Sequence, residues 1–139
     1  MRSYLFQACK HAEYAEAIAK SANAEGYHFG AIVFKGNSVV STGWCQCKTH
    51  PKQARYMKYA KPHKKDNSFL HAEMHALITA KGNASGCDLI IARWADGELR
   101  PSFPCGACLK AAKDEGIRNI WHYAKEPWPT WICTPAKTS

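Results

Sequence analysis

The chain has 139 residues, 46% of them hydrophobic and 12% aromatic, which suits one globular domain with a buried core and excludes a disordered chain. No apolar run is long enough to span a bilayer, and because residues 1–7 soon give way to polar sequence with no signal-peptide apolar region, a cytosolic protein is expected. The net charge of +8 calls for an anionic partner, a nucleotide phosphate or a nucleic-acid backbone.

Residues 3–24 read as an amphipathic helix: Leu5, Ala8, Cys9, Ala12, Ala15, Ile18, Ala19 and Ala22 recur at three- and four-residue steps. Gly26 is its expected stop. Residues 29–34 and 39–44 are short apolar strands, and Gly36-Asn37 between them is hairpin chemistry. Residues 45–68 form a long polar stretch with two prolines, expected as a loop; a loop of that length is usually functional or disordered. A helix is predicted over 70–81, with Ser68 as a cap and Gly82-Asn83 as the stop. Residues 89–94 are a strand, followed by an Asp96-Gly97 turn. Pro104 suits the first position of a helix over 104–115, because the missing N–H is unpaired there anyway. Residues 117–123 complete the strands. The pattern does not assign the tail, 124–139, with its prolines and Trp128 and Trp131, though residues 131–134 could add a fifth strand. Alternating strands and helices predict a layered α/β domain. The seven cysteines are expected as thiols and metal ligands in a reducing cytoplasm.

Two stretches carry the chemistry: His71-Ala72-Glu73 and Pro104-Cys105-Gly106-Ala107-Cys108. One imidazole and two thiolates are zinc ligands, and three of them leave the fourth tetrahedral position open, as in catalytic sites. Glu73, two residues after His71, turns about 200° away on a helix and so is not expected to ligate the same ion. It can still reach a water at the ion and act as general acid/base. Core thiols, or a closed structural zinc, are the plain alternatives. The proline before the first cysteine and the acid after the histidine favour a catalytic site. His-x-Glu with Pro-Cys-x-x-Cys is the pattern of zinc nucleobase deaminases.

On these motifs the chain is identified as a member of the cytidine deaminase-like superfamily. Residues 112–123, ending Gly116-Ile117-Arg118-Asn119-Ile120-Trp121-His122-Tyr123, are more similar to deoxycytidylate deaminases than to free cytidine deaminases. Lys48-Thr49-His50-Pro51 and Phe69-Leu70-His71-Ala72-Glu73 resemble small bacteriophage deaminases. The resemblance covers residues 27–123. It implies a three-layer α/β/α sandwich with a central mixed β-sheet, both zinc motifs at helix N-termini, and one deaminase domain over 1–139 with an irregular tail, 124–139. It implies that the Ala72 N–H binds the pyrimidine carbonyl, that a backbone carbonyl of Ser102 or Phe103 receives the leaving amine, and that Tyr27 lies against base or sugar. As a strand-end aromatic, Tyr27 could equally cover the core, and His28 is expected as a polar surface residue. The chain departs from the pattern at Gly43-Trp44-Cys45, where the family has Gly-x-Asn and the asparagine contacts the sugar.

Lys48, Lys52, Arg55, Lys58, Lys61, Lys64 and Lys65 share one segment with Tyr56 and Tyr59. Such runs are usually solvated. The functional reading is an electrostatic funnel, with Lys48, Lys52 and Arg55 binding substrate phosphate. Cys45, Cys47, His50, His63 and His75 raise a second zinc, but their irregular spacing argues against it. The expected activity is zinc-dependent hydrolytic deamination of a cytosine nucleotide, dCMP or dCTP. The alternatives are a single-stranded DNA or RNA cytosine or adenosine deaminase and a non-catalytic zinc module that binds nucleic acid. The expected partners are a nucleotide or single-stranded nucleic acid, with self-association left open and no membrane.

Overall fold

The computed structural model describes residues 4–59 and 69–136, with side chains from residue 10 onward. Elements alternate along the chain: α1 (Tyr4–Ser21), β1 (Phe29–Lys35), β2 (Ser38–Trp44), α2 (Pro51–Tyr56), a 3₁₀ turn (Met57–Tyr59), α3 (Ala72–Thr79), β3 (Asp88–Ala95), β4 (Glu98–Arg100), α4 (Gly106–Asp114), β5 (Asn119–Ala124) and β6 (Thr130–Pro135). The sheet runs β2-β1-β3-β5-β6, with β4 paired to β3. β3 and β5 are parallel, joined through α4, and the other pairings are antiparallel, so the sheet is mixed. Helices cover both faces, and the three-layer α/β/α fold is as the motifs implied.

Strand alternation sorts the core into two halves. Ala31 and Val33 of β1, Leu89 and Ile91 of β3 and Ile120 of β5 face one way and pack with α3 and α4. Ile32, Phe34, Ile90, Ala92 and Trp121 face the other way, onto Ala12, Ala15 and Ala19 of α1. These alanines let α1 lie very close to the sheet. At Gly30 of β1 a Cβ would stand 2.6 Å from the Ala15 carbonyl oxygen, so only glycine fits. Gly43 does the same on the other face: its Cβ would meet the Ala72 oxygen at 2.3 Å and the Ala76 nitrogen at 2.4 Å. β2 is thereby pressed against the backbone of α3, the helix that carries the His-x-Glu motif.

The hairpin turns follow the sequence reading. Lys35 pairs with Ser38 across Gly36-Asn37. Asp96 and Gly97 both take positive φ, 53° and 77°, the two-residue turn that matches strand twist. That turn leads into β4, which a three-residue strand is too short to announce. The larger departure lies in residues 45–68, expected as a loop. Residues 51–59 are helical, with Pro51 at the start and the His50 ring Nδ1 accepting the Lys52 N–H at 3.0 Å. A helix of six residues, with Gln53 its buried side chain, has no apolar periodicity to betray it. Ser68, the expected cap of α3, lies outside the described residues; His71 holds the N-cap position. Pro104 stands one residue before the Cys105 N-cap of α4 and is not its first helical residue. The tail over 124–139 carries β6, which pairs along the whole of β5 and is longer than the 131–134 strand considered from sequence.

Candidate active site

His71 and Cys105 are the N-cap residues of α3 and α4, and both have extended backbone (φ −72°, ψ 146° and φ −69°, ψ 168°). Neither side chain caps its helix, at a cost of about 1 kcal/mol each compared with a good cap. They turn to each other instead. The His71 Nδ1 lies 3.6 Å from the Cys105 Sγ and 3.3 Å from the Cys108 Sγ, and the three donor atoms lie within 4.8 Å of one another. Bond lengths of ligands around one tetrahedral zinc put neighbouring donor atoms about 3.6 Å apart. The triangle therefore fits zinc in donor type and in size.

Its electrostatics fit as well. The Cys105 thiol is drawn down to about 4, chiefly by a hydrogen bond from Cys108 and against burial, with His71 assisting. The Cys108 thiol is pushed up by that same hydrogen bond and by burial. The pair thus shares one proton, in the place where a divalent cation would sit. Helix N-termini on both sides favour negative charge there.

Glu73 is on the first turn of α3 and only 5% exposed. Burial raises its carboxyl pKa, opposed by His71 and by a hydrogen bond with Cys108. It therefore stands against the triangle, though it is not one of the clustered donors.

Above these groups opens a cleft of ≈ 840 Å³. Tyr27, Phe29, Phe69, Phe103, Arg93 and Met57 form its walls, and Ala72, Glu73 and Cys105 are also in its lining. Tyr27 and Phe103 are about half exposed, at 51% and 53%. Tyr27 leans edge-on against Phe69 and Phe103 against His122, with ring centroids 5.4 Å and 4.9 Å apart. Ala72 is the first residue of α3, where N–H groups point out of the helix end. Ser102 also lines the cleft, but its hydroxyl is a strut: it donates to the Ile91 carbonyl and accepts from the Tyr123 N–H, both at 2.8 Å.

The expected phosphate cations are elsewhere. Lys48, Lys52 and Arg55 do not line the cleft. The Lys52 ammonium is paired with Glu115 at 2.7 Å and ties α2 to α4; Lys48 and Arg55 are exposed. Lys61, Lys64 and Lys65 lie outside the described residues, as does His63. Of the other described members of the second metal set, His50, His75 and Cys45 have local partners. His50 caps α2, the Nδ1 of His75 accepts the Trp44 N–H at 3.1 Å, and Cys47 is exposed. The Cys45 thiol donates to the Tyr27 carbonyl at 3.2 Å and accepts the Phe29 N–H at 3.3 Å. Burial raises its pKa, so it stays a protonated donor. It staples the start of β1 where the family places an asparagine. His28 likewise bonds inward, to the Ala22 carbonyl at 2.5 Å.

Sequence reasoning missed Gln53. Only 1% exposed, it donates to the Phe69 carbonyl at 2.5 Å and accepts the His71 N–H at 2.7 Å. One carboxamide thus grips the chain on both sides of Leu70 and sets where His71 stands. The sole hint was His50-Pro51, a cap followed by a first-turn proline. Arg93 was also missed, since one cation in a strand has no periodicity of its own.

Residues 6–124 match the family described as "Cytidine and deoxycytidylate deaminase zinc-binding region". The chain belongs to that family. It is a zinc-dependent hydrolytic deaminase. Among solved structures, the cyanophage S-TIM5 dCMP deaminase in complex with dCMP and dUMP is similar at 22% identity and TM-score 0.57, over 86% of this chain and 81% of that one. A cytidine deaminase from Burkholderia pseudomallei is similar at 17% identity and TM-score 0.61, over 97% of this chain and 94% of that one. At these identities the likeness is one of fold. No curated protein matches the sequence. Among the described residues, no helix of this deaminase is long and apolar enough to cross a membrane.

Proposed function

We propose that this deaminase acts on a cytosine nucleotide, dCMP or dCTP, replacing the ring amine by a carbonyl and releasing ammonia. The observation that carries the reading is Glu73: a carboxyl withdrawn from solvent, beside the His71–Cys105–Cys108 triangle, at an open cleft. A structural zinc or a plain binding module has no use for such a group. His71, Cys105 and Cys108 would hold the zinc. When bound, it supplies Lewis acidity and a water acidic enough to react near neutral pH.

Glu73 is the proton carrier. It takes a proton from the water that adds to the carbon bearing the amine, and passes it to the ring nitrogen. It then takes the second proton of that water and protonates the departing amine, so water enters, ammonia leaves, and Glu73 ends as it began. The Ala72 N–H is assigned the pyrimidine carbonyl, a role supported by its position at the positive end of α3. The carbonyls of Ser102 and Phe103, on the segment leading into α4, are assigned the leaving amine. Tyr27 and Phe103 offer ring faces and edges to the base, and burial of the chemistry among them excludes bulk water.

A cytosine base is supported by the family and by the cyanophage protein solved with dCMP and dUMP. The polymer alternative rested on the whole basic run from Lys48 to Lys65; of that run Lys48, Lys52 and Arg55 are not at the cleft, and Lys61, Lys64 and Lys65 lie outside the described residues. Ammonia release from dCMP, dCTP, deoxycytidine, cytidine and a cytosine-containing oligonucleotide, assayed side by side, tests the reading. A mononucleotide is expected to turn over fastest. An oligonucleotide outpacing both mononucleotides, or no turnover of any cytosine substrate by the zinc-loaded protein, would overturn it.

A further inference from the structure

An anionic substrate meets an awkward cleft. Apart from His71, the ionisable groups around its reacting end are Glu73 and the thiols Cys105 and Cys45, none of which welcomes a phosphate. Of the segment that looked built to supply cations, the described residues Lys48, Lys52, Arg55 and Lys58 do not line it. Among the described lining residues, the cationic side chain besides His71 is Arg93.

Among the described residues nothing neutralises Arg93, which makes no ion pair with any of them. Its cross-strand partner on β4 is another cation, Arg100, a like-charge pairing that costs stability. The acids of the β3–β4 hairpin are already engaged: Asp96 and Glu98 pair with Arg100 at 2.9 and 3.4 Å, and Glu98 with Lys125 at 2.8 Å. What Arg93 does have is a platform. Its guanidinium lies over the Phe29 ring, 5.7 Å from the centroid, and Phe29 is its direct partner on β1. A cation–π contact of this kind uses none of the guanidinium N–H donors, so they are left to match two phosphate oxygens. Alternation along β3 puts Arg93 on the same side as Leu89 and Ile91, the face that carries α3, α4 and the zinc triangle.

We propose that Arg93 binds the terminal phosphate of the substrate mononucleotide and is the residue that separates nucleotides from nucleosides. The inference rests on the cytosine-nucleotide reading and adds to it the group that recognises the anion. It replaces the expected role of Lys48, Lys52 and Arg55.

The test reads binding of the reaction products, so it does not depend on turnover. Dissociation constants for dUMP and for deoxyuridine are measured calorimetrically on zinc-loaded protein, for the wild type, Arg93→Gln and Arg93→Lys. A charge-assisted pair of this kind is worth about 10- to 150-fold in affinity. The wild type should therefore prefer dUMP over deoxyuridine by that factor. Arg93→Gln should bring the ratio close to one, and Arg93→Lys, with the charge but not the fork, should fall between. The ratio is internal to each variant, so general loss of structure does not imitate the result. A wild-type ratio near one, or a ratio that survives Arg93→Gln, overturns the proposal. A trinucleotide with a central deoxyuridine is the second arm. If it binds more tightly than dUMP, and Arg93→Gln removes the excess, Arg93 serves an internal phosphodiester and the mononucleotide assignment is wrong. Failure of the functional reading looks different: the wild type binds dUMP through Arg93 yet releases no ammonia from any cytosine substrate.

Discussion

Gln53 is where a single side chain should connect the fold to the metal. Gln53→Leu keeps the volume and removes both hydrogen bonds, leaving the Phe69 carbonyl and the His71 N–H without their partner. The carboxamide is 1% exposed, so water cannot easily replace it. Two orphaned backbone groups cost about 1–3 kcal/mol each, so the loss should total about 2–6 kcal/mol. The second effect is local. Without the grip on the His71 N–H, the imidazole is held less firmly in the triangle, and losing such support costs about 10- to 100-fold in metal affinity. Gln53→Glu should also weaken zinc: its carboxylate can accept from the His71 N–H but has no hydrogen to give Phe69. Urea unfolding of the zinc-free protein reads the first effect, and competition with a chromophoric chelator reads the second. A Gln53→Leu protein that is less stable but binds zinc within about twofold of wild type refutes the positioning argument and leaves Gln53 as ordinary packing.

Glu73→Gln should lower kcat by at least about 10²- to 10⁴-fold while zinc content stays at the wild-type level, since an amide cannot carry the proton; near-normal turnover would remove Glu73 from the mechanism. Gly43→Ala should destabilise by roughly 3 kcal/mol or more, because the new Cβ meets α3 backbone atoms at 2.3 and 2.4 Å that cannot step aside; a thermal melt that does not move would contradict the packing. Lys52→Gln should cost under about 1 kcal/mol, as one partly exposed ion pair is lost, and should leave the KM for dCMP unchanged. A several-fold rise in that KM would return Lys52 to the phosphate site. His122 has its pKa lowered from the ordinary 6.5 by burial, so below that pH the unfolded chain binds the proton more readily than the folded one. Its contribution is therefore intact above 6.5 and is lost as pH falls through that value towards the folded pKa. The fall in stability between pH 7 and 5 should be shallower in His122→Gln than in the wild type, and equal slopes would show that burial does not hold this ring neutral.

The parts of the site that sequence alone determined are those whose chemistry is local. Cys105 and Cys108 lie a helical turn apart, His71 and Glu73 share the opening of one helix, and each motif sits where a helix begins. Short-range spacing decides all of that, as it decides the Gly36-Asn37 and Asp96-Gly97 turns. The layered α/β class followed from the alternation of apolar runs with periodic ones. What a side chain meets across the fold was another matter. Lys48, Lys52 and Arg55 looked alike in a basic run, but Lys52 finds Glu115, which is 63 residues further along the chain. Cys45 could be read as a departure from the family's asparagine, yet only the meeting of β1 and β2 shows its thiol holding Tyr27 and Phe29. Arg93 carried no pattern, and Gln53 only the His50-Pro51 helix start before it. A carboxamide becomes a clamp when segments 16 and 18 residues away arrive at its two ends, and an arginine is left without an acid partner among the described residues when its neighbours' acids are already taken. Ligand type and helix position are written in neighbouring residues; partnership and charge balance exist only after distant segments have packed.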